Sequence, residues 1–388
     1  GSASLKDGQT DLDLGSGNLV LNNPEANNGS FVSTADGTTG NITMDKDANL
    51  ALNGNGSIGN VNTTENGTGD ILIGNDKSGS VTANNLGSED KAFSSVSVGA
   101  GSSVTVKNIL NATKVALEKK AEVIASVINS PELKAIGDDI KIKAENSVLG
   151  GLLSGNNSTL ESKTLELADN FNVLGGAKVK AKNLSLKGKM LFADPDWNSN
   201  ASVVVANNLS GTDGNVLDGA LVAGQNSLVA VSDTLDENSA AVLAKSTLSE
   251  NGTTALGYVG KDITVASNGS ITIDGSLTSA PATVEDNTVT VANKSALVLA
   301  NNSKVSFESA DGKVTNNGTI VVSSDTLANN SKITAFSGEN VSVSGNGSFD
   351  VSSALFSANS NGDGTVTVNY DENKANSDLY GTEANVAQ

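Results

Sequence analysis

The chain has 388 residues, 37% hydrophobic and 3% aromatic, which is thin for a globule of that length but enough for a repeat structure whose coils cover one another. Its net charge is −19, from 24 Lys against 43 acidic residues, with no Arg, His or Cys. That balance argues against nucleic acid or an anionic membrane as partner, and the missing residue types exclude disulfides and any Ser-His-Asp or Cys-His catalytic site.

Residues 11–106 carry apolar residues two apart, as in Leu19/Leu21, Ile42/Met44, Leu50/Leu52, Ile71/Ile73 and Val104/Val106. Side chains at i and i+2 lie on one face of a strand, so each pair reads as a short strand with one buried face. Asn, Gly, Asp and Ser fill the links, as in Gly54-Asn55-Gly56, and suit tight corners. From about Lys107 to Lys189 there are 13 Lys and 9 acidic residues, a net of +4; the remainder holds 11 Lys and 34 acids, a net of −23. Ile109 to Ile128 fits a helical period as well as strand pairs such as Val115/Leu117, and the flanking strands favour continued β structure.

Residues 190–260 break the pattern and read as a small inserted or extruded module. Met190-Leu191-Phe192-Ala193-Asp194-Pro195-Asp196-Trp197 holds the only Trp. Ser239-Ala240-Ala241-Val242-Leu243-Ala244-Lys245 is rich in helix formers and follows Asp233, Asp236 and Glu237, which suit a helix N-terminus. From Ile263 the pairs return. Val289-Thr290-Val291, Leu297-Val298-Leu299 and Val305-Ser306-Phe307 are spaced by eight, as are Ile333-Thr334-Ala335-Phe336, Val341-Ser342-Val343 and Phe349-Asp350-Val351. Three such strands make a coil of about 24 residues. The expected division is 1–189 solenoid, 190–260 module, 261–370 solenoid and 371–388 polar tail or link. The fold class is all-β, a parallel β-helix. No apolar run is long enough for a transmembrane helix.

Val/Ile strands punctuated by Asn-Asn-Gly and Asn-Gly-Ser, with the Leu191-Phe192-Ala193-Asp194-Pro195-Asp196-Trp197 element and the later Gly224-Gln225-Asn226-Ser227, resemble the passenger domains of bacterial autotransporter adhesins. The resemblance covers most of the chain and rests on pattern and composition. It implies a right-handed parallel β-helix at the bacterial cell surface, active in adhesion, self-association or biofilm formation. Passengers also carry a signal peptide and a membrane β-barrel, so this sequence is expected to be a portion of a longer chain, tethered to the outer membrane through regions outside it.

Three features carry candidate chemistry. Asp194, Asp196 and Trp197 offer two carboxylates and an aromatic face for a cation or a sugar, or else a tight turn in which Asp caps backbone N–H groups and Trp fills a small core. Lys178, Lys180 and Lys182 alternate with Val179 and Ala181, so three ammonium groups share one face. They could meet an anionic glycan, or simply solvate that face and discourage edge pairing. Asn359, Asn361 and Asp363 partly echo a calcium loop, but no Glu follows at its end, which favours a plain β-turn. No cofactor is expected; calcium on so acidic a surface has no assigned position. Asn-x-Ser/Thr triplets at Asn66, Asn251, Asn268, Asn317 and Asn346 read as corners stacked on one another. The expected function is a non-enzymatic adhesin segment that binds a like chain, host glycan or extracellular matrix. The alternatives are a β-helical carbohydrate-active enzyme using paired carboxylates, or an inert stalk spacer.

Overall fold

A computed structural model describes residues 40–74, 78–193, 202–210, 216–250, 252–279, 281 and 283–376, with the backbone strands Ala3–Ser4, Asp11–Asp13, Asn18–Asn22 and Val32–Ser33. It is nearly all β and a parallel β-helix, as the alternating pattern predicts. Contacts divide the chain into two units, Gly1–Lys182 and Asn183–Gln388, the division falling inside the strand Lys178–Leu186.

In the first unit three stacks of parallel strands surround one apolar lumen. Leu50 lies in register with Ile71, Ile71 with Val96, Val96 with Val115, and Val115 with Leu133. A second column runs Val81, Val104, Val123, Ile142 and Leu160, all buried. Over these rungs aliphatic residues stack on aliphatic residues, the cheapest way for a chain so poor in aromatic residues to fill a core.

The coil length changes along this unit. Leu50 and Ile71 are 21 residues apart, but Val104 and Val123 are 19 apart, and Ile142 and Leu160 only 18. Here the strands Ser103–Leu117, Glu122–Ile136, Lys141–Ser154 and Thr159–Leu174 each run through two corners without a loop. The corners are register shifts, between Val106 and Ile109 and between Ser130 and Leu133. At one corner Gly151 sits at φ +109 between Leu133 and Phe171 in the ladder, where a Cβ would run into the Leu133 carbonyl oxygen. The competing helical reading of 109–128 therefore fails: these residues lie on paired parallel strands, in which inward residues recur every second position and longer steps fall at the corners. Hydroxyls that enter the lumen are paired, as in Ser147 Oγ to Ser162 Oγ at 2.9 Å and Ser162 Oγ donating to the Thr164 carbonyl at 2.6 Å.

The second unit repeats the design with coils near the expected length: Val289 pairs with Val314, 25 residues on, and Leu297 with Ile320, 23 on. The segment expected to interrupt the ladder takes part in it. Ser202–Ser210, Ser227–Val231 and Ala255–Val259 pair in parallel, and Met190–Ala193 pairs with Ala220–Ala223. The interruption narrows to a crossover between Val231 and Ala255, which contains the helix α1 (Glu237–Ala244) and a π-helical turn (Lys245–Glu250). Asp236 caps α1, its carboxylate accepting from Ser239 N–H at 2.7 Å. Ala240, Ala244 and Leu248 lie on Val203, Val205, Leu228 and Leu256 of the sheet's outer face. Strands under this helix are buried on both sides, which is why Val203–Ala206 and Leu228–Val231 read as continuous apolar runs instead of alternating ones.

The parallel ladder ends earlier than its spacing suggests. Ile333 and Val366 were both expected on parallel strands, yet Ser331–Thr334 pairs antiparallel with Thr365–Tyr370, which forms an antiparallel hairpin with Phe356–Ser360. A hairpin needs only a short turn, whereas one more parallel rung needs a full coil of chain, so the last strands close the ladder instead of extending it. Of the polar tail, residues 372–376 form a helical turn, and 377–388 lie outside the described residues. Among the described residues no helix is long and apolar enough to cross a membrane.

Candidate binding face

A β-helix buries one side of each strand and presents the other, so its functional surface is built from outward columns. On one face of the first unit, registers align Ser103, Glu122, Lys141 and Thr159 in one column and Thr105, Ile124, Lys143 and Glu161 in the next. Lys178 N–H donates to the Ser158 carbonyl at 2.8 Å, repeating the bonds from Thr159 to Ile140 and from Lys141 to Ala121. Lys178 and Lys180 therefore continue the columns of Lys141 and Lys143, with Lys182 further along the same strand. Lys141, Lys143, Lys180 and Lys182 are exposed, and Lys178 is half-buried.

The three lysines expected on one face are on one face, and the fold adds Lys141 and Lys143, which sequence reasoning left out. A signal for them existed. Lys141-Ile142-Lys143-Ala144 and Lys178-Val179-Lys180-Ala181 are the same alternation, 37 residues apart, which is two coils of 18 and 19. With the coil assumed to be about 24 residues, that match could not be seen. The face is mixed: Glu122 stands beside Lys141, and Lys143 beside Glu161. A shallow concavity of about 140 Å³ lies among Glu122, Ile124, Lys141, Lys143, Thr159 and Glu161. Elsewhere on this unit a groove of about 390 Å³ brings Glu132 and Asp169 together with Lys114 and Lys134.

Asp194, Asp196 and Trp197 lie outside the described residues. The Asn359, Asn361 and Asp363 set is divided by the hairpin. Asn359 is on the strand Phe356–Ser360, while Asn361 and Asp363 belong to the turn. Asp363 accepts from Thr365 Oγ1 at 2.6 Å and from Thr365 N–H at 3.0 Å. Those bonds, the hydroxyl foremost, hold its carboxyl below the usual value of 3.8. Asn361 Nδ2 donates to Thr365 Oγ1 at 3.0 Å, and Gly362 and Gly364 adopt positive φ. Asn361 and Asp363 thus spend their oxygen and amide groups on the turn. Among the described residues no three acidic side chains gather as a cation site would require.

Corner asparagines also have structural work. Asn66 Oδ1 accepts from Ala92 N–H at 2.8 Å, Asn317 Oδ1 accepts from Asn346 N–H at 3.0 Å, and Asn85 Nδ2 donates to Asn60 Oδ1 at 2.8 Å. Each bond ties one coil to another, in keeping with the stacked-corner reading; Asn251 lies outside the described residues. No family of known proteins, curated protein or solved structure matches this chain.

Proposed function

We propose that this chain is a non-enzymatic adhesive segment of a bacterial cell-surface protein, a β-helical scaffold that presents outward columns of side chains. The observation that carries the reading is the lysine face: Lys141 and Lys143 share it with Lys178, Lys180 and Lys182 in a span of net +4, while the remainder of the chain carries −23. The natural partner for that face is an anionic surface, and the acidic remainder of a second copy is one that is always at hand. Self-association through many weak, screened contacts follows, each worth little alone and effective in an array. Anionic glycan is the other surface of the right sign.

Display on non-adhesive cells tests this. Cells carrying the chain should clump at low ionic strength and disperse as salt rises. Lys178→Gln, Lys180→Gln and Lys182→Gln together should abolish the clumping. Cells that stay dispersed in low salt, and that capture no anionic polysaccharide, would overturn the adhesive reading and favour the spacer. The hydrolytic alternative has one foothold, the groove with Glu132 and Asp169. It requires release of reducing sugar that Glu132→Gln or Asp169→Asn removes.

A further inference from the structure

Two lysine faces repel each other, so a second copy has to meet this face with a different surface. The second unit carries one at a corner of its ladder. Glu308 and Asp311 bracket the corner from the strand Val305–Phe307 into Asp311–Asn316. Glu339 stands at the same corner one coil on, just before Asn340–Ser344, and Glu285 and Asp286 stand one coil back, ahead of Thr288–Val291. All five acids are exposed. Asn287 Nδ2 donates to the Asp311 carbonyl, and Asn340 Nδ2 donates to Asp311 Oδ1 at 2.9 Å, which ties the three coils together here.

Little in the fold answers this charge. Lys313 reaches Glu285 at 2.9 Å, but among the described residues the carboxylates of Asp286, Glu308 and Glu339 have no hydrogen-bond or ion-pair partner. The corner is short of donors as well, since the buried Asn287 Oδ1 has none. A corner of the first unit shows the contrast. There Glu118 Oε2 accepts from Ala100 N–H at 3.0 Å and Asp138 Oδ1 from Asn156 N–H at 2.9 Å, and Lys119 and Lys120 stand beside them. The lysine face is equally uncommitted. Among the described residues the ammonium groups of Lys141, Lys143, Lys178, Lys180 and Lys182 have no partner, and they outnumber the Glu122 and Glu161 of the same columns.

We propose that the acidic corner of one copy docks on the lysine face of another. The inference rests on the adhesive role given to that face and names the surface that meets it. Unpaired carboxylates and unpaired ammonium groups are the two halves of such a contact, and each pair adds a little to an array. Because the contact joins unlike surfaces, every docked copy still offers one of each, and copies add in succession until a ring closes.

Sedimentation velocity on the full chain at low ionic strength tests this. Asp286→Asn, Glu308→Gln and Glu339→Gln together should abolish the association of the wild type and leave melting unchanged, since all three side chains are exposed and unpaired. Charge reversal supplies the second test. Lys178→Glu, Lys180→Glu and Lys182→Glu in one chain, and Asp286→Lys, Glu308→Lys and Glu339→Lys in another, should each give monomers. Mixed together, the two should associate again, although both remain net acidic, at −25 and −13 against −19. Wild-type association that survives the neutralised corner, or reversed chains that stay monomeric on mixing, overturns the proposal and leaves the lysine-face reading standing. A wild type that is monomeric at low salt yet captures anionic polysaccharide also overturns it, with glycan as the partner of the face. One that does neither overturns both.

Discussion

Single residues in the closing hairpin show how an acidic, aromatic-poor chain holds its end together. The Lys374 ammonium donates to Asp350 Oδ1 at 3.1 Å, the Val351 carbonyl at 3.2 Å and the Phe356 carbonyl at 2.8 Å, so one side chain joins the last rung to the start of the hairpin. Lys374→Met keeps the stem but leaves three acceptors without their donor. It should cost about 1–2 kcal/mol in denaturant unfolding, the half-exposed Asp350 keeping the loss moderate. At the hairpin tip, the depressed carboxyl of Asp363 steadies the turn above its unfolded value near 3.8. That contribution fades as pH falls through the lower folded value, because protonation removes the acceptor from Thr365. Carboxyl NMR titration should place Asp363 below 3.8, and Thr365→Val should move the midpoint back up. An unchanged midpoint would show that the hydroxyl is not the main cause.

At the scale of elements, the helical crossover is the clearest departure from the repeat. The helix α1 rests on the sheet through Ala240 and Ala244, both fully buried, and only a residue as small as Ala allows so close an approach. Ala240→Leu should overpack that contact and lower stability by about 1–3 kcal/mol. Val242 is 66% exposed on the same helix, and Val242→Ser should stay within about 0.5 kcal/mol of the wild type. Equal effects at the two positions would mean the helix does not dock as described. The capping and composition of this helix were legible in the sequence: Asp236 and the Ala-rich run after it are local signals. Its docking site was legible in part, since Val203–Ala206 and Leu228–Val231 lack the polar alternates of a one-sided strand. What covers their outer side depends on where the chain returns, and no local signal states that.

For the molecule as a whole, charge partition is the property most open to test. Replacing Lys178, Lys180 and Lys182 by Gln lowers the Lys-rich span from +4 to +1 and the chain from −19 to −22. Wild-type protein should show salt-sensitive association in sedimentation velocity, and the triple variant should sediment as a monomer at every salt concentration. The same lysines show where sequence reading stops. Alternation alone determined the strands, the parallel ladder, the shared face of Lys178, Lys180 and Lys182, and the Asn-rich corners, because side-chain parity along a strand is a local property. Coil length was not local. It follows from whether a corner is a loop, as after Val291, or a register shift, as at Val106, and both are compatible with the same apolar spacing. Only the tertiary structure therefore decided that Lys141 and Lys143 join the lysine face. It also decided that Ile333 and Val366 pair antiparallel. A strand's pattern says which side is buried. Which strand lies next to it is settled by the free energy of closing the chain between them, and that depends on residues far apart in sequence.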